Sequence, residues 1–422
     1  MGRMMSRWIR SLVFLAFAPA TAFAFEAVDS IVLPMRGGFD AYTLDPVYPT
    51  NFWIQAGMMY DSNPYGISEG TNVRQALGKD EKWDLITRVG VGANHTARVT
   101  GRQSIRLGAR ADYNQYLNYT NMSHASYGLG VDWLWEVTND LSGTIGWGRT
   151  GGIADTSESQ RATKDYITSD RLYASGAYRL GPNWRVRGGI NGEWSEREGD
   201  REAVDASLQS VLVGIDYVTA LANTIGLQWR ETRGNAPVTP LLDPGGAFTD
   251  NEYKETEYAV VASYNAGAQL RFSGTVGRAE RTYTQLPVEP FDGPIYRARV
   301  DWLPGYKTVL TLEGYQAVRA VLDVDATHVE VTGFAFGPSW APTAKLVFSA
   351  RFVNEQRQYQ STIDPTLTQR DETIRLIRVG TGWEPRRHYS VTGAVEYGER
   401  ESNLVGRGYD HAAIMANLRY DW

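Results

Sequence analysis

The chain contains no cysteine. That absence excludes a disulfide scaffold, thiolate-ligated zinc, iron–sulfur clusters and a cysteine nucleophile. Lysine is nearly absent as well. Of 42 basic residues six are lysine (Lys79, Lys82, Lys164, Lys254, Lys307 and Lys345), so 36 are arginine. Histidine occurs at 95, 124, 328, 388 and 411, and no pair has metal-ligand spacing. Neither a GxSxG elbow nor a Walker-type loop is present. No nucleophile, base and orienter fall where strand register would bring them together, so no catalytic residue, metal or cofactor is expected, and the chain does not read as an enzyme. A net charge of −6 gives no reason to expect nucleic acid as a partner.

Long hydrophobic runs are also missing. Residues 1–24 carry a basic segment (Arg3, Arg7, Arg10), an apolar run from Leu12 to Ala18 and the small-residue pattern Ala22-Phe23-Ala24. This is the pattern of an export signal cleaved before Phe25. The apolar run is too short to cross about 30 Å of hydrocarbon as a helix, and no later stretch approaches eighteen apolar residues. Any membrane the exported chain spans must therefore be spanned by strands. Residues 25–51 hold Pro34, Pro46 and Pro49 and read as an irregular periplasmic segment that either contacts a partner or plugs a pore.

What is present from residue 52 to 422 is alternation. In 124–140, Ala125, Tyr127, Leu129, Val131, Trp133, Trp135 and Val137 share one parity; Ser126, Gly128, Gly130, Asp132 and Glu136 share the other, with Leu134 as the exception. In 105–117, Leu107, Ala109, Ala111 and Tyr113 alternate with Arg106, Gly108, Arg110, Asp112 and Asn114. Successive strand side chains point to opposite faces, so one face is apolar and the other charged. A soluble sandwich alternates too.

The connections discriminate. Tight turn signals recur at 100–101, 139–140, 181–182, 220–223, 265–267, 304–305, 341–342 and 384–387. Between them lie looser, polar connections at 61–82, 119–123, 151–164, 199–205, 234–251, 285–292, 319–325, 360–370 and 401–407. Eight turns and nine loops join about eighteen strands. The expected fold is all-β: an antiparallel transmembrane outer-membrane β-barrel with short periplasmic turns and longer extracellular loops. Closure removes the edges that so long a sheet would expose. The last strand ends on Leu418, Tyr420 and Trp422, an aromatic terminus of the kind the barrel-insertion machinery reads.

Parity then assigns the charges. Arg88, Arg106, Arg110, Asp112, Asp132, Glu136, Arg185, Arg187, Glu193, Asp216, Arg230, Glu257, Arg271, Arg297, Arg299, Asp301, Glu313, Arg351, Arg378 and Glu396 are expected to line the lumen. None is a lysine; the six lysines fall in loops or beside turns. Two accounts stay open: an arginine–carboxylate ladder bracing the wall, or a cationic track for an anionic chain, since the guanidinium fork suits both. Trp53, Tyr60, Trp83, Tyr119, Trp184, Trp194, Trp302, Trp340 and Trp383 are expected in the interfacial girdles, and inward-parity Tyr116 is the better candidate for stacking on a sugar.

Several stretches resemble one family in collinear order. Met58–Ser68 (MMYDSNPYGIS), 101–119 (GRQSIRLGARADYNQYLNY), 133–149, 178–190, 214–234, 293–312, 337–360 and 396–422 are similar to the family termed Putative beta-barrel porin 2, and within it to the exosortase-associated EpsL proteins of exopolysaccharide operons. Pro64-Tyr65-Gly66 departs from the more apolar run usual in that opening. The resemblance implies an integral outer-membrane component of exopolysaccharide export and supplies no catalytic residue. The partners it implies are the lipid bilayer, a polysaccharide, the barrel-insertion machinery and periplasmic or inner-membrane polysaccharide assembly proteins. Two other functions remain open: a general or solute-specific diffusion porin, and a non-conducting structural or adhesion barrel.

Overall fold

The computed structural model describes residues 49–154, 162–198, 205–235, 252–284, 290–320, 326–360 and 369–422. The export signal at 1–24 and nearly all of the 25–51 segment lie outside the described residues, as do most of the connections 199–205, 234–251, 285–292, 319–325 and 360–370. The strands are β1 (Thr50–Asp61), β2 (Asp84–Thr100), β3 (Gln103–Tyr116), β4 (His124–Glu136), β5 (Leu141–Ile153) and β6 (Tyr166–Leu180). Then come β7 (Trp184–Arg197), β8 (Ala206–Val218), β9 (Thr224–Asn235), β10 (Glu252–Ala266), β11 (Leu270–Tyr283) and β12 (Phe291–Gly305). The series ends with β13 (Thr308–Ala320), β14 (His328–Thr343), β15 (Leu346–Gln360), β16 (Asp371–Trp383), β17 (Tyr389–Ser402) and β18 (Tyr409–Asp421).

Each strand pairs antiparallel with its sequence neighbours, and β1 pairs with both β2 and β18, so the 18-stranded sheet closes on itself. The closing seam runs from Trp53↔Asp421 to Asp61↔Ala413. Beyond it the amides of Phe52 and Trp422 donate to each other's carbonyls at 3.3 and 3.0 Å. Among the described residues no helix is long and apolar enough to cross a membrane, and the strands are the only candidates for spanning one.

Alternation decides the two faces. Val89, Val91, Tyr113, Leu227, Val276 and Ile414 are all more than half exposed on the outer face. Residues of the opposite parity such as Asp112, Asn114, Glu257 and Ala413 are buried on the inner one. A closed barrel that turns its aliphatic side chains outward needs an apolar solvent around it. Trp184, Trp194, Trp302, Trp340, Trp383 and Tyr60 are exposed on this outer face, as the girdle expectation has it. Trp53 and Tyr119 are not: both are almost fully buried. Trp53 has the inward parity of β1, and Tyr119 sits in a 3-10 turn (Thr120–Met122 and its N-cap) rather than on a strand.

Two turns fall later than the sequence suggests. β12 continues through Gly305 and β14 through Thr343, and the chain reverses at Tyr306-Lys307 and Ala344-Lys345. Pairing slips between Trp302 and Gly305 and again between Trp340 and Thr343, where Pro304 and Pro342 sit. A bulge absorbs the missing amide of each proline without ending the strand. Lys307 and Lys345 then donate from these turns to the carbonyls of Pro342 and Pro385 at 2.8 and 3.0 Å, tying three short turns together.

The connection from β1 to β2 is ordered. It carries helix α1 (Val73–Leu77), capped by the Asn72 side chain and closed by Gly78 at φ 78°. Tyr65, Ile67 and Leu77 bury against Tyr119 and Met122 of the β3–β4 connection, with inward-facing Tyr116 packed beside them. Asp84 is fully buried beneath this cap and accepts from the amides of Leu117, Asn118 and Tyr119 at 2.9–3.1 Å. Burial, followed by the charges of Glu81, Asp84 and Asp80, pushes the Tyr119 phenol up to about 12; burial and Asp84 raise Tyr65 also.

Candidate lumen site

Every charged residue assigned to the lumen by parity lies on the inner face, but the side chains do not form one uniform ladder. From β7 to β18 most are paired, Arg271 and Arg297 excepted. Arg185 and Arg187 both reach Asp216, at 2.7 and 3.1 Å, and Arg187 goes on to Gln228 at 2.8 Å. Arg230 pairs with Glu257. Arg299 bonds Asp301 at 3.0 Å and Glu313 at 2.9 Å, and Glu313 also receives Arg351 at 3.2 Å. Arg378 holds Glu396 at 2.5 Å, and His411 lies 3.2 Å from the other oxygen of that carboxylate. Glu193 stands opposite Arg171 in the β6–β7 register.

From β1 to β6 the pattern changes. Asp112 accepts from Gln55 at 2.7 Å, Asp132 accepts from the Tyr173 hydroxyl, and Asp84 is satisfied by backbone amides. Glu136 lies 3.7 Å from Arg102 of the turn. Arg88 donates through Nε to Asn114 at 2.7 Å. Among the described residues, Arg106 and Arg110 make no ion pair, nor do Arg271 and Arg297 further round the barrel. Arg271 stands opposite Asp301 in register, but Asp301 is already taken by Arg299. Tyr116 faces inward and packs against the cap cluster.

Strong pairs also occur outside the assigned set. Arg281 is fully buried, bonds Glu255 at 2.7 and 3.0 Å and lies over the Tyr253 ring at 4.2 Å. Glu372 receives Arg370 and Arg400, each at 2.6 Å, and Glu355 receives Arg357 at 2.7 Å. These residues share the parity of Arg271, Glu257, Arg378, Glu396 and Arg351 on the same strands, so the alternation itself held the signal; they lie further toward the loops. Leu418 and Trp422 are about half exposed on the outer face, and the ring of Tyr420 packs between those of Tyr389 and Trp422, at 4.9 and 5.8 Å. Among the described residues no three His, Cys, Asp or Glu side chains gather where they could hold a metal ion.

The family model described as Putative beta-barrel porin 2 matches residues 257–421, from within β10 to the end of β18. No curated protein matches the chain in sequence. Among solved structures, similarity extends to the outer membrane protein OpdK of Pseudomonas aeruginosa, at 9% identity and TM-score 0.49 over 88% of this chain and 99% of that one. The siderophore receptor PirA of Pseudomonas aeruginosa is similar at 9% identity and TM-score 0.43 over 90% of this chain and 81% of that one. OccK5 (OpdH) of the same organism is similar at 10% identity and TM-score 0.47, over 88% and 98% respectively. The chain is therefore a closed 18-stranded antiparallel β-barrel with aliphatic side chains outside and ion pairs inside, and its last nine strands match the family model of a porin-like β-barrel.

Proposed function

We propose that the barrel is a passive conduit through which an exopolysaccharide crosses the outer membrane. The observation that carries this reading is the asymmetry of the inner wall. From β2 to β5 the inward positions include Gly90, Gly92, Gly108, Gly128, Gly130, Gly146 and Gly148, interspersed with arginines that no carboxylate quenches. Most inward arginines of the remaining wall are braced by ion pairs. A wall this rich in glycine carries less side-chain volume than the ion-paired wall, even where Trp53, Tyr173 and Gln55 cross it, and this favours an open bore over a lumen filled by its own side chains. Eighteen strands enclose enough width for an aqueous channel. Weak, exchangeable contacts from guanidinium groups would admit a hydroxyl-rich polymer and release it again.

In this reading the 1–24 signal is removed on export, the Leu418, Tyr420 and Trp422 terminus is read by the insertion machinery, and a periplasmic or inner-membrane assembly apparatus delivers the polymer to the short-turn end. A general diffusion porin is the second reading, favoured by the family description. Planar-bilayer recording separates them. The export reading expects discrete conductance steps that the strain's own polymer blocks, and loss of secreted polymer when the gene is deleted. Conductance without block, together with normal secretion after deletion, leaves a general porin. Absence of conductance with normal secretion would sink both.

A further inference from the structure

We infer that Tyr173 and Gln55 are positioning residues that hold Asp132 and Asp112 away from Arg106 and Arg110, leaving those two guanidinium groups as a binding track for a carboxylate-bearing sugar chain. The inference rests on the conduit reading for the identity of its ligand.

Elsewhere on the inner face of this barrel, arginine and acid in these two relationships pair wherever another arginine has not already taken the acid, as Arg299 has taken Asp301 from Arg271. Direct register partners are bonded: Arg185 with Asp216 at 2.7 Å, and Arg378 with Glu396 at 2.5 Å. Residues two apart on one strand are bonded too: Arg299 with Asp301 at 3.0 Å, and Arg419 with Asp421 at 2.7 Å. Arg106 is the register partner of Asp132, and Arg110 stands two residues before Asp112. Both are on the inner face, and neither pairs.

The reason is the same in each case. A neutral donor reaches the acid across a glycine on the strand between them. Tyr173 of β6 crosses Gly146 of β5 to bond Asp132 of β4; a Cβ on Gly146 would lie 2.3 Å from the phenol ring and 2.6 Å from the Asp132 carboxylate. Gln55 of β1 crosses Gly90 of β2 to bond Asp112 of β3; a Cβ on Gly90 would lie 2.0 Å from that carboxylate and 3.2 Å from the Gln55 side chain. The hydroxyl and amide satisfy both acids without spending an arginine. Arg106 and Arg110 are four residues apart, about 13 Å along the strand. Arg88, held by Asn114 four residues beyond Arg110, continues the column. An unpaired guanidinium forks onto a carboxylate and its spare donors suit sugar hydroxyls. A column of them favours a chain with repeated carboxylates over a single small anion, because the second contact is intramolecular.

The test is calorimetric titration of the full-length barrel, folded in detergent micelles, with tetragalacturonate, galacturonic acid and neutral maltotetraose. The tetramer should bind more tightly than the monomer, and maltotetraose weakest. Arg106→Gln and Arg110→Gln should each weaken the tetramer about tenfold or more, the size of one charge-assisted contact. Arg375→Gln, on the outer face, should leave it unchanged. The decisive variant is Tyr173→Phe, which alters no charge. It should weaken binding as Asp132 swings onto Arg106, and adding Asp132→Asn to that variant should restore binding. A lumen merely loosened by Tyr173→Phe would not be rescued in this way. No binding by the unmodified barrel, equal affinity in the arginine variants, or Tyr173→Phe without effect would each overturn the inference. Binding that behaves as expected in a barrel that fails to conduct would instead count against the conduit reading alone.

Discussion

The indole of Trp53 lies over Gly92, where a Cβ would come within 2.2 Å of the ring. The guanidinium of Arg419 stands 4.5 Å from the centre of the same ring, itself held by Asp421 at 2.7 Å. The stack therefore joins β2, β1 and β18 at the seam where the first strand meets the last. A side chain at 92 has to displace the indole and loosen closure. Gly92→Ala is expected to destabilise the barrel by about 1–3 kcal/mol, seen as an earlier urea midpoint and loss of the heat-modifiable gel band. Gly101, in a turn with open space around the added Cβ, should tolerate the same change.

Arg281 and Glu255 form a buried pair toward the loop ends of β11 and β10. Removing one partner strands the other's charge, so Arg281→Ala or Glu255→Ala should each cost about 3–5 kcal/mol. The double replacement Arg281→Met with Glu255→Leu should recover much of the loss, because it removes both charges and refills the space. Equilibrium unfolding of the three variants in one detergent measures the coupling.

Arg297 and Arg299 share a strand and a face but not a circumstance. Arg297 is exposed and unpaired, whereas Arg299 is committed to Asp301 and Glu313. In bilayer recordings under a salt gradient, Arg297→Glu should shift the reversal potential toward cation preference while leaving stability nearly unchanged. Arg299→Glu should lower stability first, since it places a third acid against two others. Identical behaviour of the two variants would contradict the partition of the lumen into paired and unpaired arginines.

The cap over β1–β4 should respond to alkali. Its buried Tyr119 has a phenol raised from 10.0 to about 12. A raised acid contributes stability fully below the unfolded value and loses it as pH climbs through the folded one. Cleavage of residues 62–83 by added protease should thus remain slow to about pH 10 and accelerate between about pH 10 and 12, while the barrel strands stay intact. In Tyr119→Phe the acceleration should start at the same pH but be shallower, because only Tyr65, whose phenol is shifted in the same direction, still couples the cap to alkali.

The sequence by itself determined the strands, their number and which side chains share a face. Two-residue alternation is a property of the extended backbone, so His124–Glu136 or Tyr409–Asp421 can be divided into two faces without knowing any neighbour. Proline blurred the boundaries at 304 and 342, because a bulge and a turn demand the same residues locally. The tertiary structure alone decided what each inner charge meets. Arg106 and Arg185 look alike in sequence, each inward and each opposite an aspartate. Only the neighbouring strands distinguish them, since Tyr173 can reach Asp132 across Gly146, whereas no neutral donor displaces Arg185 from Asp216. Likewise Trp53 reads as a girdle aromatic until β2 supplies a glycine beneath it. Parity is written in one strand; partnership depends on three.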